Sequence, residues 1–178
     1  MDSSQSLSES HIHNAKGALY VVATPIGNID DMSIRAVETL KSVDLIAAED
    51  TRHSQRLVQH YAIKTPMISL HEHNELARLE QLIEKLETGA NVALISDAGT
   101  PLISDPGYKL VNALKQRGFK VSPVPGACAI IAALSVSGLA TDSFSFWGFM
   151  PAKSSDRKKE FEQLKLKTET LVFYEPSH

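Results

Sequence analysis

Glu49 and Asp50 stand side by side at the end of an apolar run, and Arg52 follows two positions later, in the stretch AEDTRHS (48–54). A carboxylate can take a proton from a hydroxyl. A guanidinium fork can hold a phosphate. A local ion pair between Glu49 and Arg52 is the simpler alternative for such a cluster on a solvated loop. Asn28, Asp30 and His71 are weaker candidates for the same work. The second chemically suggestive stretch is ISDAGTPLISDPG (95–107). Asp97 can accept hydrogen bonds from hydroxyl or amino groups. Gly99 lets backbone approach a ligand closely. Pro101 and Pro106 stiffen the loop. Leu102 and Ile103 are apolar in mid-loop. Together they suit a ligand with one flat apolar part and one charged part. The alternative is that Leu102 and Ile103 pack into the core while Asp97 caps a turn.

Other chemistries lack their signatures. No Gly-x-Gly-x-x-Gly follows the first apolar run, and no Gly-x-x-x-x-Gly-Lys-Ser/Thr occurs, so nucleotide hydrolysis and standard dinucleotide binding drop out. Cys128 lies among small apolar residues and reads as packing rather than a reactive thiolate. As the only cysteine it can form no intrachain disulfide, which points to a reducing compartment. His71 and His73 flank Glu72 without further ligand spacing, so no metal is expected.

The elements that must position these residues alternate. Apolar strand patterns fall at 18–24, 44–50, 67–70, 91–96, 120–124, 144–149 and 170–175. Helical patterns fall between them at 33–43, 53–61, 75–88, 106–117, 127–138 and 156–167. Asn74 is expected to cap the third helix, whose apolar stripe is Leu76, Leu79, Ile83 and Leu86. Asp105 is expected to cap the fourth, with Pro106 at its first position and Gly118 closing it. The alternation predicts an α/β fold, a mostly parallel sheet with helices on both faces. In such sheets ligands sit beyond the carboxyl ends of the strands. The polar or Gly/Pro-rich loops TPIGNIDD (24–31), EDTRHS (49–54), HEHN (71–74), SDAGTPLISDPG (96–107) and PGACA (125–129) all follow strands, so they share that rim.

Bulk properties narrow the function. The 178 residues are 43% apolar and 22% charged, with a net charge of −3. That balance gives no chain-wide grip on nucleic acid, and DNA is not an expected partner. No apolar run approaches the roughly 20 residues that span a bilayer. Residues 1–16 read as a disordered polar leader with solvated His11 and His13. The chain stops at EPSH directly after a strand, with no closing helix, which reads as a cut chain.

The stretches LYVVATPIGNIDD, DLIAAEDTRHS, ISDAGTPLISDPGYKLV, VPGACAIIAAL and FSFWGFMPAKSSDRKK resemble, in order and spacing, those of the tetrapyrrole methylase superfamily. Within it they resemble the group that methylates small-subunit ribosomal RNA. The resemblance covers roughly residues 17–178. It implies two α/β domains with S-adenosylmethionine folded between them, residues 17–140 being the first and 141–178 the beginning of a truncated second. The implied reaction is methyl transfer to the ribose 2′-hydroxyl of a cytidine in 16S ribosomal RNA. The implied setting is the cytoplasm, with the 30S subunit or its RNA as partner and a homodimer as the assembly. It also implies that Asp97, Ala98, Gly99, Leu102, Ile103 and the Ala127–Cys128 turn line the cofactor, with Pro25 and Gly27 bordering the methyl-transfer side. The chain departs from the family at Pro125-Gly126-Ala127, where a second proline usually stands at Ala127.

Under that resemblance Asp50 and Glu49 are the candidate bases and Arg52 a candidate phosphate contact. Lys153, Arg157, Lys158 and Lys159 form the densest positive group and are the candidate RNA surface, the alternative being a solvated helix face. Two other readings stay open. One is methylation of a small tetrapyrrole precursor. The other is an inactive fragment that binds cofactor or dimerises.

Overall fold

A computed structural model describes residues 16–176 of the chain; the leader's first fifteen residues lie outside the described residues. The strands β1 (Ala18–Val22), β2 (Leu45–Ala48), β3 (Met67–Ser69), β4 (Val92–Ile95) and β5 (Lys120–Val124) form one parallel sheet in the order β3-β2-β4-β1-β5. The helices between them are α1 (Ile34–Ser42), α2 (Thr51–His60), α3 (Glu75–Glu87) and α4 (Tyr108–Gln116).

The strand order explains the layers. From β1 to β3 the chain steps toward one edge; from β3 to β5 it steps back toward the other. Right-handed crossovers put connections of opposite direction on opposite faces. Accordingly α1 and α2 share one apolar cluster, through Ala36, Leu40 and Val58, with Ile46, Ala48, Ala93 and Ile95 of the strands. The helices α3 and α4 share the other, through Leu82, Ile83, Leu86, Leu110 and Leu114, with Leu45, Ala47, Val92 and Leu94. The period of two in LIAA and VALI divides each inner strand between the two clusters, so both strands are buried throughout. Pro123 is tolerated in β5 because that strand is an edge.

Helix ends depart from several expectations. Two residues earlier than expected, α2 begins at Thr51, because Asp50 occupies the cap position and its side chain accepts the Arg52 N–H at 2.8 Å. The loop after β2 is correspondingly short. Later than expected, α4 begins at Tyr108; the cap position is Gly107 at φ +114°, not Asp105. Asn74 sits at the start of α3 but does not cap it. Its side chain accepts from the His71 N–H at 2.9 Å and donates to the Ser69 carbonyl at 3.1 Å, fastening the loop after β3 instead. Leu76 is exposed rather than part of the buried stripe, and Glu75 takes the inward place. The Glu75 carboxylate accepts the Leu110 N–H at 3.0 Å and so satisfies the first turn of α4 from α3. Gly118 does end α4 as expected: at φ +72° it lets Phe119 donate back to the Leu114 carbonyl at 2.9 Å.

Beyond this sheet come α5 (Ala129–Val136), β6 (Phe144–Phe149), α6 (Ser154–Leu164) and β7 (Thr170–Tyr174). The pair β6 and β7 forms a separate two-stranded parallel sheet. Aromatic pairs hold it: Phe146 and Phe149 flank Tyr174 at 4.8 and 5.3 Å between ring centroids, and Phe161 of α6 meets Phe173 at 5.7 Å. Both α5 and α6 are shorter than the 127–138 and 156–167 expected, and α6 starts earlier, at Ser154.

Candidate functional site at the carboxyl rim of the sheet

The ends of β2 and β4 are tied to each other through their own carboxylates. Glu49 accepts the Asp97 N–H at 3.2 Å, and Asp97 Oδ1 accepts the Asp50 N–H at 3.2 Å. A second stitch joins β1 to the loop after β4. Thr24 and Gly99 exchange backbone hydrogen bonds at 2.9 and 3.1 Å, and the Thr24 hydroxyl donates to the Ser96 carbonyl at 3.2 Å. Gly99 sits at φ +80°, where an added Cβ would lie 3.3 Å from Ile26 Cγ2. Its N–H is spent on Thr24, so it is not free for a ligand. Leu102 at φ +73° and Ser104 at φ +67° share the left-handed region that side chains avoid. This rim is built by over-determination: the stitches hold backbone that the local sequence would not choose.

Three concavities open around Asp97. The first, about 340 Å³, is walled by Ile26, Glu49, the loop from Asp97 to Asp105, Cys128 and Ala129 at the start of α5, and Phe149 and Tyr174 of the small sheet. Its volume falls near the lower end of the roughly 300–1,000 Å³ of small-molecule sites. Ala98, Gly99, Ile103 and Cys128, expected to line one site, do meet here, and Ala127 accepts the Thr100 hydroxyl at 3.2 Å just behind. Leu102 does not join them. It turns inward and packs on the α3/α4 cluster, so Leu102 and Ile103 do not face one ligand together. The second concavity, about 410 Å³, lies between the β1 loop and α2. Pro25 and Gly27 line it together with His53, Ser54 and Arg56. The third, about 430 Å³, collects Glu49, Asp50, Arg52, Ser69 and His71.

The carboxylates differ in character. Burial pushes Glu49 above the usual carboxylate range, and the negative charges of Asp105 and Asp97 add to this against the Asp97 N–H and nearby His53. Burial likewise raises Asp105, with Asp97 adding to it against a hydrogen bond from the Ser96 hydroxyl. Asp50 goes the other way: the Arg52 side chain holds it below the usual range. Arg52 pairs with Asp50 at 3.2 Å, not with Glu49. Tyr174 is raised by burial and by Cys128 and Asp105 across the first cavity. Among the described residues no group of three or more His, Cys, Asp or Glu is placed to hold a metal ion.

The profile of the family described as Tetrapyrrole (Corrin/Porphyrin) Methylases matches residues 18–178. The chain belongs to the tetrapyrrole methylase family. Among curated relatives it is 57% identical over 162 residues to "Ribosomal RNA small subunit methyltransferase I" of Haemophilus influenzae, covering 91% of this chain and 57% of that protein. It is 52% identical over 165 residues to the protein of the same description from Escherichia coli O157:H7, covering 93% of this chain and 58% of that one. The chain thus spans a little under three-fifths of the length of these relatives. Among solved structures it superposes on a diphthine synthase with a TM-score of 0.67 at 15% identity, over 90% of this chain and 64% of that one. It superposes on a uroporphyrin-III C-methyltransferase from Thermus thermophilus, complexed with S-adenyl homocysteine, with a TM-score of 0.57 at 20% identity, over 76% of this chain and 60% of that one. At such identities the solved structures speak to the methylase fold alone.

Several rim residues of this methylase-family chain carry no local signal of their place. Asp105 is by type a helix cap, and Phe149 and Tyr174 belong to strand patterns. His53 and Arg56 fall inside a helical pattern, and only their three-residue spacing, which places them on one helix face, marks them. The positive group after β6 is partly spent. Arg157 pairs with Glu175 at 3.2 Å and Lys159 with Asp156 at 3.8 Å, while Lys153 and Lys158 are exposed. Among the described residues no helix is long and apolar enough to cross a membrane.

Proposed function

We propose that the chain is the cofactor-holding part of a methyltransferase that moves a methyl group from S-adenosylmethionine to the 2′-hydroxyl of a cytidine in small-subunit ribosomal RNA. The observation that carries this reading is the first cavity: a small, half-apolar chamber with Glu49, Asp97 and Asp105 at its wall. Its residues fit the group. A sulfonium cation is favoured beside carboxylates that burial and mutual repulsion otherwise penalise. Ile103, Phe149 and Tyr174 offer apolar surface for an adenine. No side chain caps α5, whose first turn opens at Cys128 and Ala129, so its N–H groups are donors for the cofactor's carboxylate.

When bound, the cofactor supplies a methyl group already activated on sulfur. The chain's own contribution is alignment of an acceptor oxygen and removal of its proton. Of the two candidate bases, Glu49 suits the task better than Asp50. Its raised pKa makes it the stronger proton acceptor, whereas Asp50 is committed to Arg52 and to capping α2. Arg52 is exposed and remains available to an RNA phosphate beyond that pair. Lys153 and Lys158 carry what is left of the basic surface. Replacing both with Ala should flatten the salt dependence of RNA binding, and an unchanged slope removes them. Two separate sheets support a division into residues 17–140 and a second unit from 141. A homodimer gains support from Ile131, Val136 and Leu139, exposed on and just after α5.

The relatives' descriptions favour ribosomal RNA over a tetrapyrrole as acceptor. Calorimetry with S-adenosylmethionine tests the cavity. Incubation of labelled cofactor with 30S subunits or with a tetrapyrrole precursor, using this chain and one extended to its relatives' length, tests the acceptor. Label in the RNA alone supports the reading. Label in the tetrapyrrole overturns it.

A further inference from the structure

The second cavity has a different chemistry from the first, and the two meet at one residue. The first is acidic. The second, about 410 Å³, has Arg56 and His53 on its α2 side, Pro25, Ile29 and Leu57 as apolar surface, and buried Ser54 in its wall. Asp97 borders both. Its backbone N–H is spent on Glu49 and its Oδ1 on the Asp50 N–H, so the carboxylate is held in place from two directions between the cavities. The β1 loop forms the rest of the divide. Ile26 faces the first cavity, and its neighbours Pro25 and Gly27 face the second.

We infer that the second cavity receives one ribonucleotide of the acceptor, turned out of its strand, with its phosphate on Arg56 and its ribose hydroxyl at Asp97. This rests on the methyl-donor reading of the first cavity and names the substrate subsite beside it. A nucleotide has three parts, and the cavity offers a counterpart to each. The guanidinium of Arg56 suits a phosphate oxygen pair, with His53 one helical turn away to assist. Pro25, Ile29 and Leu57 suit the face of a base. Asp97 can accept a hydrogen bond from a ribose hydroxyl and sits where that oxygen would face the donor cavity. Arg56 is well suited because, unlike Arg52, Arg117 and Arg157, it makes no ion pair with a carboxylate among the described residues. A tetrapyrrole bearing many carboxylates would ask for more cations than this one cavity holds.

Two titrations on the isotope-labelled 178-residue chain test the inference by NMR. Cytidine 5′-monophosphate should shift the amides of Asn28, Ser54 and Arg56 in a saturable way. Arg56→Ala should weaken that binding about tenfold. S-adenosylhomocysteine should shift the amides of Ala98, Cys128 and Ala129 instead, with equal affinity in wild type and Arg56→Ala, which also verifies that the variant is folded. The inference is overturned if the nucleotide shifts nothing saturably, if it shifts only the donor-cavity amides, or if Arg56→Ala binds it as well as wild type. Tighter binding of a polycarboxylate tetrapyrrole to the same amides also overturns it, in favour of a small-molecule acceptor. Failure of the S-adenosylhomocysteine arm alone strikes the donor-cavity reading, while the nucleotide arm still decides this one.

Discussion

Two walls of the acidic cavity are built on opposite principles. The loop from Asp97 to Gly107 leaves β4, a strand buried on both faces, and is stitched to Thr24. It holds four residues at positive φ: Gly99, Leu102, Ser104 and Gly107. The facing wall belongs to a two-stranded sheet in which no strand residue is fully buried, and Phe149 is 54% exposed. A strained loop on a close-packed sheet fixes where a ligand can sit. A two-stranded ribbon is marginal by itself and contributes surface rather than position. The contrast assigns geometry to the first wall and stacking to the second.

The sharpest way to break that contrast is to add one methyl group to each wall. At Gly107, φ is +114° and a new Cβ would lie 2.7 Å from Cδ2 of the fully buried Leu94. Gly107→Ala combines backbone strain of about 1–2 kcal/mol with overpacking of about 1–3 kcal/mol, so a loss near 3 kcal/mol is expected in urea unfolding. At Gly148, φ is +66° and the nearest atom to a new Cβ is Ser104 Oγ at 3.4 Å. Gly148→Ala should cost only about 1 kcal/mol. Equal losses at the two sites would end the distinction between a locked wall and a loose one.

Glu75 gives the next largest effect on the same side. Its buried carboxylate is the acceptor for the Leu110 N–H. Glu75→Ala leaves that donor buried and unpaired and should cost about 2 kcal/mol. Glu75→Gln keeps an acceptor and should recover most of it. If both variants unfold at the wild-type urea midpoint, the tie between α3 and α4 carries no weight.

The two walls also differ in how far sequence exposed them. The buried strands LIAA and VALI were legible because continuous short apolar runs between turn signals have few other uses. Their faces followed from the period of two. The helix starts were less legible. Asp50 and Asp105 are equally good cap residues by type; only the first is used, because Gly107 can take a backbone angle that places α4 against Glu75. Leu102 looked like ligand-facing surface because it stands beside Ile103. Its positive φ, which no local pattern announces, turns it into the core. The second wall was hidden for another reason. Phe149 and Tyr174 reach the site only through β6–β7 pairing, a contact between residues far apart in sequence. The same holds for the Glu49–Asp97 tie, whose partners are 48 residues apart.

On the ribbon side, Tyr174→Leu should leave unfolding within about 1 kcal/mol of wild type, since the ring is only partly buried. It should nevertheless weaken S-adenosylhomocysteine binding about fivefold to tenfold through lost stacking surface. Urea unfolding reads the first outcome and titration calorimetry the second. Unaltered affinity would show that the cavity binds through its strained wall alone.

The smallest expected effect is electrostatic and belongs to the seam where β2 meets β4. In the folded chain Glu49 is raised above the usual carboxylate range by burial, with Asp105 and Asp97 adding to it. A raised carboxylate binds its proton more tightly folded than unfolded. Its favourable contribution is therefore fully present below the unfolded value, about 4.3, and is lost as pH rises through the raised one. Acid has an opposite effect through Asp50, Glu80 and Glu169, which partners hold below their usual range. The difference between variant and wild type isolates Glu49 from that background. Glu49→Gln keeps an oxygen to accept the Asp97 N–H and removes the charge, so at pH 7.5 it should melt about 1–2 °C above wild type. The gap should close as pH approaches 4. A sulfonium ligand reverses the sign, because it favours the ionised carboxylate: Glu49→Gln should lose affinity for S-adenosylmethionine but not for uncharged-sulfur S-adenosylhomocysteine. If the variant is less stable at pH 7.5, the negative charge strengthens the hydrogen bond from the Asp97 N–H by more than burial and repulsion cost. Glu49 would then be a strut of the rigid wall and not its charge sensor.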